Sequence, residues 1–151
     1  MPRTRDMNIK GVKCKLVETE EELREAYRIR HEIFVKEQQL FSESDKDEHD
    51  PQAIHIIALS RDKVIGTVRV YRRGKNVWFG SRLAVLKLYR GRTGKTLIEK
   101  AVETVRAKGA QHFMAYVQLP NVSFFERCRW RAVGNVVQYQ GVDHQLMEAE
   151  L

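Results

Sequence analysis

Apolar and polar positions alternate with two distinct periods along the chain, and their order predicts its elements. Residues 12–17 read as a short strand. Thr19 then opens a helix, and Glu22 three positions on completes a capping box. Leu23, Ala26, Tyr27, Ile33 and Phe34 fall on one broad apolar face of that helix. Residues 41–51 are acidic and polar, as in a solvated loop. Residues 53–59 are apolar on both faces, as in a buried strand. Residues 64–71 alternate, with Val64, Val68 and Val70 on one side, and the short polar break before them predicts a hairpin. Arg73, Gly74 and Lys75 form the next turn, and residues 76–85 form the third strand of a meander. Leu97, Ile98, Ala101, Val102 and Val105 have helical spacing; Arg106 and Lys108 sit at that helix's negative end and Gly109 stops it. A strand over 111–118, a short helix after Pro120 and Asn121 running through Cys128, and strands over 132–139 and 142–150 with a turn at Gly141 complete the series. The fold class is α/β, of the α+β kind: a mixed, mostly antiparallel sheet of six to seven strands flanked by helices.

The chain has 151 residues, enough to bury a sizeable core, and its 42% hydrophobic and 31% charged residues are globular composition. No apolar run approaches the roughly 20 residues that span a bilayer. Residues 1–10 read as a flexible basic N-terminus without a signal-peptide apolar stretch, and residues 11–151 as one domain. The expected compartment is the cytoplasm, where Cys14 and Cys128 would be reduced structural thiols. No Cys/His spacing resembles a zinc site, so no metal is expected. The net charge of +7 raises nucleic-acid binding as an alternative, but the basic residues are interleaved with acids and the strongest local cluster is Arg90, Arg92 and Lys95. One polyanionic small molecule accounts for that cluster as well as DNA does, so no nucleic-acid partner is expected.

The segment Tyr89-Arg90-Gly91-Arg92-Thr93-Gly94-Lys95-Thr96 follows a strand and opens a helix. Free backbone N–H groups and the helix dipole make such a place an anion site, and Gly91 and Gly94 let the backbone approach a phosphate. A Walker A loop would also end in Gly94-Lys95-Thr96, but it needs glycine at position 89, where this chain has Tyr89. An ordinary basic helix start remains the plain alternative.

Strand, Arg-Gly turn and amphipathic helix together resemble the acyl-CoA pyrophosphate loop of the GNAT acetyltransferase family. Arg82-Leu83-Ala84-Val85 resembles that family's splayed strand. Asn121 followed by Phe124-Phe125-Glu126-Arg127-Cys128-Arg129-Trp130 resembles its Asn, then Phe-Tyr-Glu-x-x-Gly-Phe signature. Residues 28–38 resemble the opening helix of its small-molecule acetyltransferase-like subset, and Gly141-Val142-Asp143-His144-Gln145-Leu146-Met147 that subset's closing strand. The resemblance covers nearly the whole chain. Its departures are Arg92 or Thr93 where a loop glycine is usual, Phe125 for the usual acid Tyr, Arg129 for Gly and Asp143 for Pro.

What the resemblance implies is an N-acyltransferase that moves an acetyl or other acyl group from acyl-CoA to a small-molecule amine by direct attack, without membrane partners and with a homodimer left open. It implies that Leu83, Ala84 and Val85 pair with the pantetheine arm, and that Arg90, Gly91, Arg92, Thr93, Gly94, Lys95 and Thr96 hold the pyrophosphate, with Asn121 and Phe125 beside the cofactor. His144 is the leading base, since imidazole titrates near neutrality; a hydrogen-bonded structural histidine is the alternative. Tyr116 and Tyr139 are substitute acids or core residues. Glu48 and His49 are substrate contacts or solvated loop, and His55 is a core histidine. Arg82, and more weakly Arg30, are candidates for binding a substrate carboxylate; for Arg82 an ion pair is the alternative. Phe125 and Arg129 motivate a second reading, a catalytically weak acyl-CoA-binding module. Arg30, Phe34 and the acidic loop motivate a third, since they resemble acyl-homoserine-lactone synthases.

Overall fold

The computed structural model describes residues 11–151, and the basic segment expected over 1–10 lies outside the described residues. The strands are β1 (Val12–Leu16), β2 (Ile54–Ser60), β3 (Lys63–Gly74), β4 (Val77–Val85), β5 (His112–Gln118), β6 (Trp130–Tyr139) and β7 (Val142–Ala149). They form a 7-stranded sheet in the order β1-β2-β3-β4-β5-β7-β6. All neighbours are antiparallel except β4 and β5, which are parallel and joined by a helical crossover. This is the mixed, mostly antiparallel sheet that the patterning predicts.

Three helices flank it: α1 (Glu20–Arg30), α2 (Arg92–Ala107) and α3 (Val122–Arg127). The capping box forms: Thr19 Oγ1 accepts from the Glu22 amide at 3.1 Å, while Glu22 accepts from the Thr19 amide at 3.3 Å. Beyond Arg30 the helix widens into a π-helical segment, His31–Glu37, which the spacing alone does not predict. Ile29 and Arg30 at the end of α1 and Ile33 and Phe34 in the π segment are all buried.

The period-2 alternation of β3 divides the core. Val68 and Val70 face α2, where they pack with Trp78, Leu97, Val105 and Phe113. On the opposite face α1 and the π segment cover Ile57, Val64 and Ala84. Val64 thus lies opposite Val68 and Val70 and not on their side as the alternation predicts, because Ile65 is an extra residue on β3 where its pairing with β2 shifts between Ala58 and Leu59. Arg69 and Tyr71 alternate with the valines and point to that second face, which is where the site lies.

Two features open the sheet. Parallel pairing of β4 with β5 covers only Val77–His112, Trp78–Phe113 and Phe79–Met114. Past Phe79 the strands splay. On the other edge of β4, Thr67 pairs with Ala84 and Arg69 with Ser81, so Arg82 and Leu83 share one partner position as a bulge. Arg82 takes φ 57°, and such a bulge bends a strand away from its neighbour.

Candidate active site

The splay between β4 and β5 opens into a cleft of about 400 Å³. Ala84 and Val85 are bound to β3 along one edge of β4, through Thr67 and Gly66. Their other edge, and that of Leu83, carries no strand beyond Phe79. An extended ligand arm can therefore add to β4 as a strand does.

At the C-terminal end of β4 the chain turns through Gly91, at φ 102°, into α2. No side chain caps this helix, so the amides of Arg92, Thr93 and Gly94 are left for an external acceptor. Thr93 and Gly94 are buried, and a Cβ on Gly94 would come into van der Waals contact with the Phe124 ring at 3.4 Å. These features fit a diphosphate. The flanking side chains are arranged otherwise than the motif suggests. Arg90 is turned away, with its Nη2 on Glu37 at 2.7 and 2.8 Å and its Nε on the Val85 carbonyl at 3.1 Å. Thr96 donates its hydroxyl to the Arg92 carbonyl at 2.9 Å, within the helix. Arg92 and Lys95 are exposed cations in the first turn of α2.

The cleft's opposite wall comes from β5, β6 and β7. His144 is 5% exposed and lines it. Its Nδ1 lies 2.8 Å from the Val142 carbonyl, which can only accept, so Nδ1 carries the proton and Nε2 keeps a free lone pair. Among the described residues that Nε2 has no hydrogen-bond partner, and it is not sealed from solvent, unlike Nδ1 of His55. Asp143 points to the other side of the strand, where it accepts from Gln138 at 3.2 Å. Tyr139 stands edge-on to His144 at 5.7 Å, and its hydroxyl is 3.3 Å from Arg82 Nη2. Tyr116 stacks on Phe79 at 6.0 Å with 44% of its surface exposed. Neither tyrosine is a core residue: both are partly exposed, because β5 and β6 turn this face to the open side of the splay. Phe125 is buried against Trp130, and Asn121 lies on the cleft rim at the start of α3.

The acidic loop behaves differently from a solvated one. Arg30, 1% exposed, donates to Asp45 at 2.7 Å and to Asp50 at 2.7 and 3.0 Å. Arg69, 2% exposed, donates to Asp47 at 2.6 and 2.8 Å, to Asp50 at 2.8 Å and to Ser81 at 2.8 Å. Arg82 donates to Asp45 at 3.1 Å and to Asp47 at 3.3 Å. Burial pushes the Asp50 carboxyl up, but hydrogen bonds from Arg30, the Asp47 amide and Arg69 outweigh it and hold the carboxyl well below the usual range. Arg30 is thus a structural cation away from the cleft, a correction to the substrate-binding role expected of it; its donors are committed to Asp45 and Asp50. Arg82 does line the cleft, but in the ion-paired form. The same loop places His49 over the site, stacked on Tyr71 at 4.2 Å, and leaves Glu48 81% exposed beside it at the cleft edge. His55 is the core histidine expected; burial holds it below the ordinary imidazole value. Arg69 escaped the sequence reading, its one signal being a charge within an apolar, alternating strand. Among the described residues no group of three His, Cys, Asp or Glu side chains is placed to hold a metal ion.

A parallel strand pair that splays beside an uncapped helix N-terminus is a place where an extended, phosphate-bearing ligand fits. Residues 16–129 match the Acetyltransferase (GNAT) family. The chain belongs to the GNAT acetyltransferase family, whose members use acyl-CoA. It is 31% identical over 123 residues to the uncharacterized N-acetyltransferase YjcF of Bacillus subtilis, covering 81% of this chain and 87% of that protein. Among solved structures it superposes on an acyl-CoA N-acyltransferase from Pseudomonas aeruginosa with a TM-score of 0.79 at 21% identity, covering 92% of this chain and 98% of that one. It also superposes on BjaI, a CoA-dependent acyl-homoserine lactone synthase, with a TM-score of 0.76 at 17% identity, covering 93% of this chain and 84% of that one.

Proposed function

We propose that the protein transfers an acetyl group from acetyl-CoA to the amine of a small molecule by direct attack. The observation that carries this is the juxtaposition of the unpaired edge of Leu83, Ala84 and Val85, the free amides at the start of α2, and His144 Nε2 across the same gap. The β4 edge would position the thioester arm, and Arg92, Thr93 and Gly94 would hold the diphosphate through their amides, with Arg92 and Lys95 adding charge. An ammonium must lose a proton before its nitrogen can attack, and His144 Nε2 is the acceptor of that proton. Phe125 has no proton to give the departing thiolate; Tyr116, partly exposed in the cleft, can give one, and so can Tyr139, whose hydroxyl oxygen accepts from Arg82 and keeps its own proton. Glu48 and His49 line the cleft and would meet the amine there.

The test is acetyl-CoA incubated with a panel of amines, read by mass spectrometry for acetylated product and by thiol release for CoA. Product with at least one amine, abolished by leaving out acetyl-CoA, is the expected result. Tight CoA binding with no transfer across the panel would favour a binding module. A second reading rests on the buried Arg30–Asp45–Asp50 cluster beside Phe34, together with the fold shared with BjaI. It makes the acceptor S-adenosylmethionine, and CoA release that requires S-adenosylmethionine, with simple amines inert, would establish it.

A further inference from the structure

The floor of the cleft carries a row of rings. Tyr71, Phe79 and Tyr116 stand on three neighbouring strands, with centroid separations of 6.3 and 6.0 Å. The Arg73 guanidinium lies 4.6 Å from the Phe79 centroid. Arg73 is exposed, near the end of β3, and lines the cleft.

Its situation differs from that of the other arginines on this face. Arg30, Arg69 and Arg82 are matched by Asp45, Asp47 and Asp50 and have their donors committed. Arg73, among the described residues, meets no carboxylate and makes no side-chain hydrogen bond; only the π face beneath it fixes its place. Its planar guanidinium, with its donors unpaired among the described residues, keeps an N–H edge available. That is the geometry for a bidentate contact with a carboxylate.

We propose that Arg73 anchors a carboxylate of the acceptor, which makes the acceptor an amine carrying an anionic group remote from its nitrogen. The proposal rests on the reading of His144 as the base, which locates the nitrogen. Phe79 pairs with Met114, and Gln118 pairs with His144. Four residues along β5 at about 3.3 Å each and two strand spacings of about 4.8 Å put the Phe79 and His144 backbones about 16 Å apart. In an α-amino acid the nitrogen and carboxylate carbon stand about 2.5 Å apart, too near to serve both ends. An amine and a carboxylate separated by roughly six or more carbons can reach both, with the intervening chain lying on Phe79 and Tyr116.

The experiment compares acids with their amides. Calorimetry on the wild type, Arg73→Lys and Arg73→Gln, each with and without CoA, measures octanoate against octanamide; acetyl transfer is then measured to 4-aminobutyrate, 8-aminooctanoate and 8-aminooctanamide. The wild type is expected to bind octanoate roughly two- to five-fold more tightly than octanamide, the range of a solvent-exposed charged contact. Its kcat/KM should show the same preference for 8-aminooctanoate over both its amide and the shorter acid. The acid-to-amide ratio should fall towards one in Arg73→Gln and be partly kept in Arg73→Lys. Equal binding of acid and amide by the wild type, or a ratio unchanged in Arg73→Gln, overturns the proposal while leaving acetyl transfer standing. Absence of CoA binding in the same titrations removes the acyltransferase reading instead, and the acid-to-amide ratio without CoA still decides on Arg73.

Discussion

Replacing Arg69 with methionine tests whether the buried ionic cluster holds the acidic loop to the sheet. Four hydrogen bonds at 2.6 to 2.8 Å disappear, three of them to carboxylates. The two carboxylates are not equally exposed to the loss. Asp50 keeps its pair with Arg30 and the Asp47 amide at 3.0 Å. Asp47 keeps only Arg82, at 3.3 Å, and the His49 amide, but its side chain is 21% exposed and can turn to water. Removing one partner of a buried pair costs about 3–5 kcal/mol, and the partial access of Asp47 puts this case near 3 kcal/mol. At about 2–4 °C per kcal/mol for a chain of this size, Tm should drop by about 6–12 °C. Urea titrations at pH 7, fitted with a shared slope, provide the free energy. Arg28→Met is the control: its pair with Glu25 is exposed, and its loss should cost under about 0.5 kcal/mol. Adding Asp47→Asn to Arg69→Met should recover part of the loss, because it removes the stranded charge. A cost below about 1 kcal/mol for Arg69→Met would refute the cluster's structural role.

Three further outcomes are expected. His144→Ala should lower kcat by about 10²–10⁴-fold with acetyl-CoA affinity kept, and flatten the acidic limb of the pH–rate profile; an unchanged profile in a folded variant would make His144 structural. Acid should destabilise the fold in two stages: burial holds His55 below its ordinary value, so the unfolded chain takes up that proton first as pH falls below about 6.5. Asp47 and Asp50 are held low despite burial, so their contribution is complete above about pH 3.9 and is lost on further acidification; a urea midpoint that rises between pH 7 and 5 would contradict the first stage, and His55→Gln should flatten it. Burial pushes the Cys14 thiol up to about 11, so it should resist alkylation at pH 8 in the folded protein, and rapid labelling would show the β1–β2 edge to be open.

The elements readable from sequence were those fixed by local chemistry. Thr19 and Glu22 sit within one turn and make their capping box irrespective of the rest of the fold. The period-3.6 pattern of α2 is set by burial of one face and recurs in the structure, whereas β3 is buried on both faces from Val64 to Tyr71 and its alternation misplaces Val64. The splay after Phe79 was legible through motif resemblance; no local rule says where two strands part. The π-helical widening at residues 31–37 was not legible, because Ile33 and Phe34 fit an α-helical face equally well. The acidic loop was misread for a physical reason: Asp45 and Asp50 are paired with cations 15 to 20 positions away, and a run of carboxylates looks alike whether water or arginine solvates it. Arg129 shows a departure that the fold absorbs: it adopts φ 70° after α3, where glycine is usual, while its carbonyl accepts from the Glu150 amide at 3.0 Å. Arg90 shows the opposite, a residue in the expected motif whose side chain is committed elsewhere, to Glu37.

Everything proposed for catalysis depends on acetyl-CoA occupying the splay with its diphosphate at the start of α2. Calorimetry of acetyl-CoA on the wild type, Gly94→Asp and Glu99→Ala tests that placement most directly. A carboxylate at Gly94 would face the diphosphate and crowd Phe124, whereas Glu99 lies on the exposed side of the helix more than a turn further on. The wild type and Glu99→Ala should bind alike and gain about 2.7 kcal/mol of stability at 100 times the Kd, and Gly94→Asp should lose most of both. No binding to the wild type, or equal binding to folded Gly94→Asp, would contradict the account.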